Sequence, residues 1–175
     1  IEENFTEYKV EEGQERDDVR QWEHITANIA KGENGGEVVL DARPEGRFHG
    51  TSPEPRPSLS SGHIPHSLSL PFSAVLSAES STSPSYKTLL PAAELEKVFE
   101  HAMGGETWQQ VKKGERGITA TCGSGMTAAV LWLALQRAGA SEKVAIYDEL
   151  GFVSCAITQS WTGYASRPES EIIKS

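Results

Sequence analysis

The chain has 175 residues, which is enough for one domain of ordinary size with its own core. Its 16 basic and 25 acidic residues give a formal net charge of −9, which argues against a nucleic acid bound through a basic face. No apolar segment is long enough to cross a membrane, and two cysteines are too few for a disulfide framework, so we expect a reducing compartment.

The first twenty residues are polar and acidic, with few side chains suited to a core. This composition predicts a linker or tail over residues 1–20, followed by one domain over residues 21–175. Because the chain starts with Ile1, we expect that further sequence, including any targeting peptide, precedes it.

Short apolar runs alternate with segments of helical periodicity along the rest of the chain. The runs predict strands at 37–42, 68–72, 118–121 and 144–147, and the periodic segments predict helices at 22–31, 91–103, 107–113 and 127–137. The serine-rich segment 73–88 is predicted to be a surface loop. Strands that alternate with helices are typical of an α/β fold, in which a parallel sheet has helices on both faces and ligands bind at the carboxyl ends of the strands.

A cysteine follows the predicted strand 118–121 and enters a turn before the next helix, with the sequence Cys122-Gly123-Ser124-Gly125-Met126-Thr127. The two glycines permit backbone angles that other residues avoid, so that successive N–H groups and the helix start can converge on the sulfur. Such donors favour an anion, and the thiolate is the nucleophilic form of cysteine. We therefore predict that Cys122 is a nucleophile, and a buried structural cysteine is the alternative.

The residues around Cys122 limit the kinds of reaction that it can carry out. A phosphatase-type loop needs an arginine six residues after the cysteine, and Ala128 stands there. Cys155 is too distant for a two-cysteine redox motif; we interpret it as an apolar filler, with a resolving thiol as the alternative. No metal-ligand spacing occurs around the loop. A small acceptor atom, such as the sulfane sulfur of a persulfide, suits a loop of this size.

Four motifs occur in order along the chain: Val38-Val39-Leu40-Asp41-Ala42-Arg43 with Gly46-Arg47-Phe48, Glu54-Pro55-Arg56, Gly62-His63-Ile64-Pro65, and the cysteine loop. Together they resemble the catalytic C-terminal rhodanese domain of a 3-mercaptopyruvate/thiosulfate sulfurtransferase, from about residue 22 to the C terminus. The resemblance implies a rhodanese-like α/β fold. It also implies transfer of sulfur from 3-mercaptopyruvate, through a Cys122 persulfide, to a thiol such as that of thioredoxin or to cyanide. Because each half is a displacement at sulfur, we expect a ping-pong scheme, with no cofactor and no metal.

The resemblance also assigns roles to individual residues. Arg47 and Arg56 match the positions that hold the substrate carboxylate, for which a planar guanidinium is suited; solvated loop arginines are the alternative. Ser124 matches a residue that donates to the sulfur donor or relays a proton, and Asp41 matches an acid that organises the active-site loop. The remaining loop residues expected to bind the substrate are Gly123, Gly125, Met126 and Thr127.

Other side chains near these motifs have two interpretations each. We interpret His63 as a structural residue under the loop, with a catalytic role as the alternative, and Arg43 as structural. Trp132 is interpreted as part of the core. For Trp161 and Tyr164, a substrate-facing aromatic wall and core packing both stay open.

The donor and the completeness of the site are the open questions. Thiosulfate-preferring members carry an Arg-Lys pair where this chain has Gly123-Ser124, so the neutral loop favours mercaptopyruvate, and thiosulfate is the alternative.

In the family, Ser124 works with a His and an Asp from an N-terminal rhodanese domain, which we expect to be missing from this chain. Relative to the family pattern, residues 150–159 are an insertion before Ser160-Trp161. A non-catalytic module is therefore a second alternative. The family implies a mitochondrial or cytoplasmic protein.

Overall fold

The computed structural model describes residues 18–140, 142–149 and 160–175. Five parallel strands form one sheet in the order β1-β5-β4-β2-β3. The strands are β1 Val19–Arg20, β2 Val38–Asp41, β3 Ser67–Ser69, β4 Ile118–Thr121 and β5 Val144–Tyr147. The predicted α/β fold with a parallel sheet is confirmed.

The described helices are α1 Trp22–Ala30, α2 Gly32–Gly35, α3 Glu45–Phe48, α4 Ala92–Met103, α5 Gly105–Lys112, α6 Met126–Arg137 and α7 Trp161–Ala165. The predicted strands at 118–121 and 144–147 have the predicted bounds. The strand predicted at 68–72 ends at Ser69 instead, because Pro71 starts a 3-10 helix over Phe72–Val75. None of the described helices has the length and apolar character that a membrane span requires.

The sheet has a core on each face. Val38 and Leu40 of β2 belong to the larger core with α4, α5 and α6, whereas Val39 belongs to the smaller core with α1 and α7. This division follows from the pleat, since successive side chains of a strand point to opposite faces. The predicted covering of both faces by helices is therefore confirmed.

Strand β1 lies inside the segment 1–20 that the sequence predicts to be a linker. Val19 pairs with Ile146 of β5, and the Ile146 N–H donates to the carbonyl of Asp18 at 2.8 Å. The prediction missed this strand because two residues show no periodicity within an acidic stretch. The folded domain thus includes residues 18–20. Residues 1–17 and the predicted insertion 150–159, with Cys155, lie outside the described residues.

The serine-rich segment 73–88 is only in part the predicted surface loop. Residues 81–88 are exposed, but Val75 is buried in the larger core. Leu76 and Leu89 form an antiparallel bridge, and the Leu90 N–H donates to the Val75 carbonyl at 3.0 Å. The two ends of the loop are therefore held together at its base.

The register of the sheet brings several strand ends to one edge. Asp41, the last residue of β2, pairs with Thr121 of β4 and with Ser69 of β3. Cys122 follows Thr121 directly, so its loop lies at the carboxyl edge of the sheet. In parallel sheets this edge is where ligands bind.

Candidate active site around Cys122

The cysteine loop joins β4 to α6 and keeps its sulfur inside the protein. Cys122 is only 1% exposed, and the Gly125 N–H donates to its Sγ at 3.1 Å. Gly125 is the N-cap of α6 and has a φ of 87°, in the left-handed region that glycine adopts without strain. A Cβ there would also lie 3.3 Å from an oxygen of the Asp148 carboxylate. The predicted approach of a loop amide to the cysteine sulfur is therefore present at Gly125.

The other loop residues occupy different environments. Gly123, Ser124 and Thr127 are half-buried, whereas Met126 is 77% exposed at the first turn of α6. Of the loop residues, Gly125 is the one for which the structure shows a hydrogen bond to the sulfur. Among the residues that the structure describes, no cluster of three or more His, Cys, Asp or Glu side chains is arranged to hold a metal ion.

The turn that begins α7 binds the backbone of the cysteine loop. The Cys122 N–H donates to Ser160 Oγ at 3.1 Å, and the Trp161 N–H donates to the Cys122 carbonyl at 2.8 Å. The Thr162 hydroxyl donates to the Gly123 carbonyl at 3.0 Å. These contacts could not be predicted from the sequence, because no local pattern links residues that lie 38 and 39 positions apart in the chain.

Arg47 of α3 reaches the cysteine loop. A Cβ built on Gly123 would lie 3.3 Å from Arg47 Nη2. The same guanidinium pairs with Glu54 at 2.6 Å, and the Arg47 side chain is 21% exposed. Arg47 is therefore held beside the loop and is not a fully solvated arginine.

Arg43 connects Glu54 to the end of β2 inside the protein. Its buried guanidinium donates to Asp41 at 2.5 Å, to Glu54 at 2.9 Å and to the Gly62 carbonyl at 2.6 Å. The predicted structural role of Arg43 agrees with this geometry. The sequence predicted that Asp41 organises the loop through hydrogen bonds, but its carboxylate instead binds the Arg43 backbone N–H and guanidinium. Asp41 is thus linked to Glu54 through the Arg43 guanidinium.

Arg56 also lies close to the loop, although it is exposed. Its Nη1 donates to the Thr162 hydroxyl at 2.5 Å. Because Thr162 in turn donates to Gly123, a single hydroxyl separates Arg56 from the cysteine loop. The two arginines named by the sequence analysis are therefore brought to the same loop.

Neither His63 nor the C-terminal aromatic residues line an open site. His63 is buried, stacks on Phe48 with a centroid distance of 3.9 Å, and places Nδ1 2.9 Å from the Phe48 carbonyl. Trp161 and Tyr164 are buried in the smaller core, so core packing is the correct interpretation for both. The Trp161 ring contacts the Arg43 guanidinium, 4.0 Å from the ring centroid.

A buried acid anchors α7. Glu149 accepts hydrogen bonds from the Tyr147 hydroxyl and, at 2.6 Å, from Arg167. Burial, together with this carboxylate, raises the pKa of Tyr147 far above its usual range, so the hydroxyl stays a donor. Gly163 packs directly on Glu149, where a Cβ would approach within 2.8 Å. These contacts fix the helix that carries the turn behind Cys122.

Comparison with known proteins agrees with this arrangement. The model of the rhodanese-like domain family matches residues 25–153. Two Arabidopsis thaliana proteins, thiosulfate/3-mercaptopyruvate sulfurtransferase 1, mitochondrial, and thiosulfate/3-mercaptopyruvate sulfurtransferase 2, are 38% and 40% identical over 133 and 136 residues. The matches cover 76% and 78% of this chain but 28% and 32% of those proteins.

A solved structure gives a similar result. The yeast mitochondrial complex I sub-stoichiometric sulfur transferase subunit superimposes with a TM-score of 0.68 at 31% identity, over 91% of this chain and 47% of that one. This chain therefore spans less than half the length of each of these relatives. Since the family model covers most of the chain and includes the cysteine loop, the chain belongs to the rhodanese-like domain family.

Proposed function

We propose that this domain is a sulfurtransferase in which Cys122 accepts a sulfur atom and carries it as a persulfide. The observation that carries the proposal is the Gly125 amide, 3.1 Å from Cys122 Sγ in the loop between β4 and α6. A loop amide at this distance stabilises negative charge on a cysteine sulfur and on the terminal sulfur of a persulfide. The sulfurtransferase names of the Arabidopsis relatives support the same chemistry.

With 3-mercaptopyruvate as donor, the Cys122 thiolate attacks the mercapto sulfur. A sulfur–sulfur bond forms while the carbon–sulfur bond breaks, and the electron pair of the broken bond goes to carbon. The resulting enolate takes up the proton of the mercapto group and leaves as pyruvate. A thiol acceptor or cyanide then removes the outer sulfur, which returns Cys122 to its thiolate.

We propose that Arg47 and Arg56 bind the donor carboxylate. Glu54 accepts from Nε and Nη2 of Arg47, which fixes the orientation of the guanidinium. Arg56 is exposed and donates one hydrogen bond, from Nη1 to the Thr162 hydroxyl. Two arginines close to the Cys122 loop favour an anionic donor, since their planar donors match a carboxylate.

The neutral Gly123-Ser124 pair supports mercaptopyruvate over thiosulfate as the preferred donor. A Cβ at position 123 would lie 3.3 Å from Arg47 Nη2, so a side chain there would require this guanidinium to shift by a few tenths of an ångström. The loop therefore suits a donor bound through Arg47 and not one attracted by cations inside the loop. Ser124, which is half-buried and two residues after Cys122, is the proposed proton relay.

The partners proposed for this domain follow from the family. They are a small-molecule sulfur donor, a thiol acceptor such as thioredoxin, and an N-terminal rhodanese domain outside this chain. Relatives of which the match covers only 28% and 47% support the partner domain. Their mitochondrial names support a mitochondrial location.

A second candidate function is a non-catalytic rhodanese module. The observation that favours it is the burial of Cys122, whose 1% exposure leaves little sulfur surface for a donor. In this case a donor would reach the thiol only after the loop opens or a partner domain binds.

Mass spectrometry separates the two functions. After incubation with 3-mercaptopyruvate, we expect the Cys122 peptide, but not the Cys155 peptide, to gain one sulfur. Cys155→Ser should gain sulfur like the wild type, and Cys122→Ser should gain none. Full-yield labelling of Cys122→Ser would contradict the assignment of the nucleophile. Absence of labelling from both 3-mercaptopyruvate and thiosulfate in the wild type would favour the non-catalytic module.

A further inference from the structure

The Ser160 hydroxyl is buried directly behind the nucleophile. It accepts the Cys122 N–H at 3.1 Å and lies 2.7 Å from the Thr121 hydroxyl, and both Ser160 and Thr121 are inaccessible to solvent. The next residue, Trp161, donates its N–H to the Cys122 carbonyl at 2.8 Å. The peptide groups on both sides of the Cys122 Cα are thus held by two consecutive residues.

We propose that Ser160 is a positioning residue for the Cys122 sulfur. The direction of the Cα–Cβ bond follows from the orientation of the two flanking peptide groups, and the sulfur then occupies one of the staggered χ1 positions about that bond. Fixing both peptide groups therefore fixes the set of positions open to the sulfur. In this structure it points at the Gly125 N–H. Without the Ser160 hydroxyl, the buried Cys122 N–H has lost its acceptor, and its peptide group rotates toward another one. That rotation moves Sγ away from the Gly125 amide.

Thr162 performs a different task from the same turn. Its hydroxyl donates to the Gly123 carbonyl and accepts from Arg56 Nη1, so it connects the loop to a proposed substrate arginine. Ser160 therefore acts on the sulfur and Thr162 on the donor. This division of tasks rests on the proposed function in two respects. It takes Cys122 as the nucleophile, and it takes Arg56 as a residue that binds the sulfur donor.

The first experiment needs no sulfur donor. Hydrogen exchange at the Cys122 and Gly125 amides is measured by NMR in the full chain. We expect Ser160→Ala to accelerate exchange at both amides, about five- to tenfold, as the loss of one hydrogen bond implies. The control is Ser166→Ala, since Ser166 Oγ binds the Thr162 carbonyl at 2.6 Å at the other end of α7. Ser166→Ala should leave both amides within about twofold of the wild type.

The Gly125 amide decides the outcome, because it contacts the sulfur and not Ser160. Faster exchange at Cys122 alone would overturn the proposal, since the hydroxyl would then hold a peptide group without positioning Sγ. If Ser160→Ala does not fold, Thr121→Val takes its place, because it removes the hydroxyl that orients Ser160. Exchange unchanged at Gly125 in that variant would equally overturn the proposal.

The second experiment measures sulfur transfer from 3-mercaptopyruvate. Ser160→Ala should lower kcat about five- to tenfold with KM unchanged, whereas Thr162→Val should raise KM with kcat nearly unchanged. Equal effects of the two variants on both parameters would contradict the division of tasks. If the wild-type chain transfers no sulfur, the proposed function fails, while the exchange experiment still decides on Ser160.

Discussion

The Cys122 loop lies next to two sets of contacts of different kinds. On one side, Arg43 and Arg47 both pair with Glu54, and Arg43 also pairs with Asp41. On the other side, neutral groups of the turn 160–162 bind the loop backbone. The first side is a network of ionised side chains, and the second is a row of hydrogen bonds without charge.

The difference teaches what each side contributes. Removing one partner of a buried ion pair leaves the other charge without compensation, so the charged side is costly to break. A neutral hydrogen bond adds less to the free energy of unfolding but fixes the backbone position. We therefore expect the charged side to control stability and the part of donor binding that depends on Arg47. We expect the neutral side to control the geometry of the nucleophile through Ser160, and to assist donor binding through the contact of Thr162 with Arg56. The two sides meet at Trp161, which contacts Arg43 through its ring and Cys122 through its N–H.

The largest loss of stability is expected when Arg43, at the centre of the charged network, is replaced. Arg43→Met keeps an unbranched side chain of similar length but leaves Asp41 and Glu54 as buried carboxylates without Arg43. We expect the free energy of unfolding in urea to fall by about 3–5 kcal/mol. Arg56→Met is the control, since Arg56 is exposed, and should cost less than about 1 kcal/mol. Equal losses in the two variants would mean that the buried network adds no more than a surface arginine.

Arg47 tests whether the charged side also binds the donor. Removal of its guanidinium should weaken the use of 3-mercaptopyruvate by about 1.5–3 kcal/mol, or roughly ten- to a hundredfold in kcat/KM. Arg47→Lys should restore only part of this loss, because an ammonium lacks the bidentate geometry. Arg20→Ala is a matched control, since Arg20 pairs with Glu37 at 2.8 Å and is similarly buried. If Arg47→Ala retains wild-type kcat/KM, Arg47 does not bind the donor.

A substitution of Gly125 tests the neutral hydrogen bond that the loop itself makes to the sulfur. Gly125→Ala places a side chain in the left-handed region, at a cost of about 1–2 kcal/mol, and beside Asp148. Gly139 is the matched control, because it has a φ of 97° at the other end of α6 and its Cβ would meet only Lys112, at 3.6 Å. Both variants should lose similar stability, but only Gly125→Ala should slow persulfide formation. If both variants slowed persulfide formation equally, the reaction would not depend on the Gly125 amide.

Much of this architecture could be predicted from sequence because its signals are local. The apolar run before Cys122 predicts β4, and the periodicity after the loop predicts α6, with its start only one residue from the observed helix. Gly125 carries its own signal, since a glycine between a strand and a helix indicates unusual backbone angles. The two arginines were named from motifs, and the structure brings both to the loop.

The remainder depends on contacts between distant parts of the chain. Strand β1 exists because β5 offers an edge, and its two residues carry no pattern of their own. The Arg43 guanidinium reaches Glu54, 11 positions away, and the Gly62 carbonyl, 19 positions away, and no local pattern indicates these partners. The Ser160 contact to Cys122 joins residues that are separated by 38 positions. Periodicity and turn chemistry describe neighbours in sequence, so they cannot predict such pairs.

The smallest effect is expected at a charge pair that is only partly buried. Glu37, just before β2, accepts hydrogen bonds from Arg20 at 2.8 Å and from the Thr119 hydroxyl at 2.6 Å. Burial alone would raise the pKa of Glu37, but these hydrogen bonds outweigh it and hold the pKa below the ordinary value of 4.5. A carboxyl with a lowered pKa adds stability that is present above 4.5 and is lost as the pH falls below it.

Glu37→Gln should therefore be less stable than the wild type near neutral pH, by less than about 1 kcal/mol, because the pair is partly open to solvent. This difference in the free energy of unfolding should shrink as the pH falls below 4.5. Thr119→Val, which removes one of the two donors, should lose less of its stability over the same acid range than the wild type does. Urea unfolding at a series of pH values measures all three proteins. A difference between wild type and Glu37→Gln that grows toward acid pH would show that burial, and not Arg20 and Thr119, governs this carboxyl.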